Sequence, residues 1–139
     1  MANFIGSPLE DRYNRFWNVV IVPLDKKILT GLTSPRLYIS ADTMKNITTY
    51  CENITTMITN LIRQGTEFED KEAVLDYIKS TAASAYSDLN SYMGILAKRG
   101  GREVSVVAIT TAMEGFLRVI DSDAAHPGHG AGAGSGAGL

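Results

Sequence analysis

Lys98-Arg99-Gly100-Gly101-Arg102 sets three cations around two glycines. The chemistry open to such a segment is anion binding. Glycine lets a backbone turn and come close to a partner, and a helix opening just behind it aims free N–H groups at the same ligand. An apolar, helix-like run follows as far as Ile120. Lys98, Arg99 and Arg102 are therefore the candidate phosphate contacts. As an isolated feature, the same segment also reads as a solvated connection between two helices.

Other chemistry finds less support in the residue types. Both histidines, His126 and His129, lie near the C-terminus in a Gly/Pro-rich segment, where a pair at a spacing of three lacks the scaffold and further ligands of a metal site. Cys51 is the only cysteine, so there is no disulfide framework or cysteine metal cluster; it sits on an apolar helical stripe and reads as a core residue. Gly100-Gly101 is too short for a nucleotide-binding phosphate loop. No catalytic residue, metal ligand or cofactor is expected. Glu67, Glu69, Asp70 and Glu72 gather where a helix is expected to start, and the macrodipole favours negative charge there. A sharper reading of these acids is a cluster that meets another subunit or binds a divalent cation, although nothing in the spacing resembles a calcium loop.

A chain of 139 residues with 45% apolar content is expected to form one domain with a real core. Its net charge of −2 supplies no global field for a polyanion, so any such contact must be local. The first residues lack the basic start of a secretory signal, and no apolar run approaches the roughly 20 residues that span a bilayer. A soluble, reduced, intracellular protein is expected, without a membrane partner. Two sequons, Asn46-Ile47-Thr48 and Asn53-Ile54-Thr55, then have no glycosylation to receive.

Several elements must position the basic segment. Ser7-Pro8-Leu9-Glu10 is a helix start, with a serine cap, a first-turn proline and a glutamate placed to reach back; it predicts a short helix to about Phe16. The β-branched and aromatic run Phe16 to Val22, stopped by Pro23, reads as a buried strand paired with Arg36-Leu37-Tyr38-Ile39, and a helical turn or two is expected between Leu24 and Leu32. Met44, Ile47, Cys51, Ile54, Ile58 and Leu61 form one helical stripe, capped by Ser40 or Asp42 and ended by Gly65; its threonines leave a strand as the alternative. Thr66-Glu67-Phe68-Glu69 reads as a capping box opening a helix from about Phe68 to Ala97, striped by Val74, Ile78, Ala82, Ala85, Leu89, Tyr92 and Leu96. After the basic segment, Val106, Ile109, Met113, Phe116 or Leu117, and Ile120 make a last stripe, although residues 103–107 also suit a strand.

The expected fold is mainly α: an antiparallel bundle of three long helices plus a short N-terminal helix, with a small β element at one end. Residues 1–6 read as an N-terminal arm that docks on a neighbour or stays mobile, 7–123 as the bundle, and 124–139 as a flexible Gly/Ala-rich tail. Arg102, Val106-Val107-Ala108-Ile109, Ala112-Met113, Phe116-Leu117 and Ile120 resemble the helix that follows the RNA-contacting arginines in coat proteins of rod-shaped, tobamovirus-like viruses. That resemblance implies a bundle subunit that polymerises around RNA, with Arg99 and Arg102 at the matching phosphate positions. The expectation is a self-assembling viral coat or nucleocapsid protein, found in the virion; the alternative is a cytoplasmic all-α interaction module with no nucleic-acid role.

Overall fold

The computed structural model describes residues 2–99 and 103–125, and among them the backbone is helical with no strand. Four helical rods form an antiparallel bundle. The first is continuous from Pro8 to Leu32 and consists of α1 (Pro8–Phe16), a π-helical turn (Trp17–Ile21) and α2 (Val22–Leu32). The others are α3 (Ala41–Gly65), α4 (Lys71–Arg99) and α5 (Glu103–Ala125). At 1.5 Å per residue, α4 is roughly 40 Å long, and it lies against α5, α3 and α2.

The expected strand pair and the short first helix are corrected. Phe16 to Val22 is helical, and residues 35–38 form a bend in the connection to α3. The contiguous apolar run conceals a helical stripe in which Ile21, Ile28 and Leu32 are buried while Val19 is 65% exposed. Pro23 does not stop the rod because the π turn prepares for it. Val22 N–H bonds to Trp17 C=O, five residues back, which widens the coil just before a residue that has no N–H and whose ring would crowd the carbonyl four residues earlier.

The other helix starts are built as their residues suggest, with one exception. Ser7 accepts from Glu10 N–H at 3.1 Å, and Glu10 Oε1 accepts from Gly6 N–H at 2.8 Å. Ser40 caps α3 through Thr43 N–H, also at 3.1 Å. Thr66, however, opens nothing: its hydroxyl donates back to Arg63 C=O at the end of α3, and α4 begins at Lys71, about three residues after the expected start near Phe68, with Ala73 and Val74 N–H on Asp70 C=O.

The core runs along the α3 and α4 stripes. Ile47, Ile54 and Leu61 meet Ala82, Ala85, Leu89 and Leu96, all without solvent exposure, while α5 contributes Ile109 and Phe116 and leaves Leu117 37% exposed. Helices approach closely where two glycines stand. A Cβ on Gly31 would lie 2.1 Å from Thr43 Oγ1, and one on Gly65 2.4 Å from Val74 Cγ1. Residues 2–6, expected as an arm without a fold of its own, pack on this chain: Phe4 is 1% exposed and its ring meets Phe68 and Tyr77 edge-on at 5.4 and 5.3 Å.

Candidate nucleic-acid interface

An up-down bundle places the α2–α3 connection and the end of α4 together, and Arg99 joins them. Its Nη1 donates to Leu32 C=O at 2.7 Å and Ser34 C=O at 2.5 Å, and its Nη2 donates to Arg36 C=O. Leu32 C=O is the last of α2, where acceptors lack intrahelical donors and the macrodipole favours a cation, and the Ser34 and Arg36 carbonyls belong to the connection that follows. Arg99 is thus a side-chain cap for a helix 67 residues away in sequence from its own position. Lys98 beside it is exposed, and so are Arg36 and Lys45 at the same bundle end. Arg102, Gly100 and Gly101 lie outside the described residues, as do His126, His129 and the Gly/Ala-rich segment.

The structure therefore separates the sequence-level candidates. Lys98 faces solvent, while Arg99 is held by backbone. Arg36 and Lys45 escaped the sequence reading because they lie far from the basic segment; the shared bundle end of the two connections is the signal that finds them. Between these cations, Leu37 and Tyr38 are each 79% exposed.

A second group of polar residues is buried between α2, α3 and α4. Tyr50 and Tyr92 have no solvent exposure, and their rings meet edge-on at 5.7 Å. A buried hydroxyl needs a partner. Tyr50 donates to Asp88 at 2.5 Å, and Tyr92 donates to Asp25. Burial above all, and then the carboxylate acceptor, push both phenols well above their ordinary range, so both stay protonated donors. Burial also raises Asp88, against the lowering effect of the Tyr50 bond, and the Asp25 charge adds to the rise. Asp25 and Asp88 border an open cleft of about 340 Å³ together with Trp17 and Ser84. The chemistry of this group is cross-linking of helices. Cys51 lies close by, 7% exposed, with its thiol pushed up to about 11 mainly by burial, which keeps it out of nucleophilic chemistry near neutral pH.

The opposite bundle end is acidic. Asp70 accepts from Phe4 N–H at 2.6 Å and Ile5 N–H at 3.1 Å, and the Phe4 bond is the main reason its carboxyl is held below the ordinary Asp range. Glu67, Glu69, Glu72 and Asp76 surround it on the surface. Only Glu72 belongs to the first turn of α4; the other acids flank the start or lie beyond it. Among the described residues no group of three His, Cys, Asp or Glu side chains is arranged to hold a metal ion, and no helix is long and apolar enough to cross a membrane. Comparison with protein-family models, with curated proteins and with solved structures gives no match.

Proposed function

We propose that this protein is a self-assembling structural subunit, of the coat or nucleocapsid kind, that contacts nucleic-acid phosphates from its cationic bundle end. The observation that carries the reading is the pairing of Leu37 and Tyr38, each 79% exposed, with the cations Arg36, Lys45 and Lys98 around them. Large apolar side chains beside charge on a well-filled small bundle are the composition of a contact surface. The resemblance of Arg102 to Ile120 to rod-virus coat subunits adds support for assembly around RNA. Lys98 and Arg102 are the proposed phosphate contacts, while Arg99, next to Lys98, ties the end of α4 to the end of α2. The second reading, an all-α interaction module without nucleic acid, draws on the same exposed residues.

Sedimentation velocity and negative-stain microscopy of the purified protein separate the two: a subunit gives rods, rings or shells, and a module stays monomeric or dimeric at every salt and pH. For the phosphate contacts, Lys98→Ala with Arg102→Ala reduces the magnitude of the log K against log salt slope for single-stranded RNA by about 1.4, since each phosphate that a cation neutralises adds about 0.7 to it. An unchanged slope removes both residues from the site.

A further inference from the structure

Among the described residues, five of the eight large exposed apolar side chains stand at the two ends of the bundle, the others being Val19, Val107 and Leu117, and the ends carry opposite charge. At one end Leu37 and Tyr38, 79% exposed, stand among Arg36, Lys45, Lys98 and Arg99, with Asp42 the only carboxylate among the described side chains there. At the other end Ile5 is 65% exposed, Ile62 51% and Leu75 37%. Around them lie Glu67, Glu69, Asp70, Glu72 and Asp76 against three cations, Arg12, Arg63 and Lys71. Lys71 is turned back onto its own chain, its Nζ donating to Thr66 C=O at 3.0 Å. An open depression of about 590 Å³ runs along Glu69, Glu72 and Asp76.

We infer that the acidic end of one copy, at the α3–α4 connection, receives the α2–α3 connection of a second copy, so that Leu37 and Tyr38 pack against Ile5, Ile62 and Leu75 inside a rim of opposite charges. The inference rests on the reading of the protein as a self-assembling subunit and names the surfaces that do it. Two features fit a second copy. Each end repels its own kind, so a two-fold pairing of like ends is disfavoured, while unlike ends attract. The contact is also heterologous, and a heterologous contact repeats: it closes into a ring or continues as a filament, according to the rotation between copies. With a net charge of only −2, the direction of pairing is set by the local charges of the two ends and not by a global field.

The test uses the full chain after nuclease treatment and two charge-reversed variants. Arg36→Glu with Lys45→Glu makes the cationic end acidic; Glu72→Lys with Asp76→Lys makes the acidic end basic. All four residues are exposed, so each variant keeps the native circular dichroism, with the melting temperature of the Glu72→Lys variant lowered slightly by a cation in the first turn of α4. Each variant alone should sediment at the 15.0 kDa of a single chain. An equimolar mixture should assemble as an alternating polymer, because every junction in it again joins unlike ends. Assembly of native protein and of the mixture should weaken together toward about 1 M salt, where the Debye length falls to about 3 Å. If native protein assembles and each variant alone does so equally well, the end-to-end contact is overturned while the subunit reading stands. Loss of assembly in both variants without recovery in the mixture overturns the pairing of these two ends, and assembly that appears only when RNA is added assigns the cationic end to nucleic acid instead. Native protein that stays monomeric at every salt concentration overturns the inference together with the reading beneath it.

Discussion

Adjacent cations at the end of α4 have different partners, and a pair of substitutions separates them. Arg99 supplies its fork to the last carbonyl of α2 and two carbonyls of the connection to α3, and hydrogen bonds from a charged donor contribute about 1.5–3 kcal/mol each at best, less where water can replace them. Arg99→Met keeps the apolar stem and removes the donors. It should lower stability in urea unfolding by about 1–3 kcal/mol, whereas Lys98→Ala should stay within about 0.5 kcal/mol of native. Equal effects would mean that Arg99 is not a cap. The residue types and the spacing made the basic segment legible as a site of cations next to a helix. They could not divide it, because the partners of Arg99 belong to a segment more than sixty residues away. The tyrosine–aspartate pairs were hidden for the same reason: Tyr92 sits on an apolar stripe, and nothing local says that its hydroxyl reaches Asp25 on another helix.

Helices show where periodicity suffices and where it fails. The stripes of α3, α4 and α5 are legible because apolar residues three and four apart alternate with polar ones, and Ser40, Gly65 and Lys98–Arg99 fall where caps and last turns belong. Trp17 to Val22 is apolar at every position but Asn18, so its period carries little signal, and Pro23 argued for a stop that the π turn removes. Packing distance between helices is equally invisible in the sequence, yet it assigns opposite signs to four glycines. Gly31→Ala and Gly65→Ala each drive a methyl into Thr43 or Val74 and should destabilise the bundle by about 1–3 kcal/mol. Gly94→Ala and Gly115→Ala meet nothing within 4 Å inside helices α4 and α5, and relief of the glycine penalty should stabilise by about 0.5–1 kcal/mol. Thermal or urea unfolding of the four variants reads the signs directly; a destabilising Gly94→Ala or a neutral Gly31→Ala would contradict the packing described.

At the scale of the whole molecule, two carboxylates give the bundle opposite responses to pH. Asp88 is raised above the ordinary Asp value of 3.8, chiefly by burial, so between 3.8 and its raised value the folded chain holds more protons than the unfolded one. Its contribution is fully present below 3.8 and is lost as pH rises through the folded value. Asp70 is lowered below 3.8 by the N–H groups of Phe4 and Ile5, so its contribution is present above 3.8 and is lost as pH falls through its folded value, when the anchoring of residues 2–6 weakens. The two limbs meet near the ordinary carboxylate range. Measured as Tm against pH, Asp88→Asn should flatten the decline on the neutral side, because its amide oxygen still accepts from Tyr50 but no longer titrates. Asp70→Asn should flatten the decline on the acid side and leave the neutral limb unchanged. Tm curves parallel to native in either variant would mean that the other carboxylates set the profile. Since Asp70 stands at the acidic end and the half-buried Asp88 between α3 and α4, acid pH should loosen the N-terminal segment while the Tyr50–Asp88 link holds. An acid-induced change in assembly without a change in helix content would therefore originate at the acidic end of the bundle.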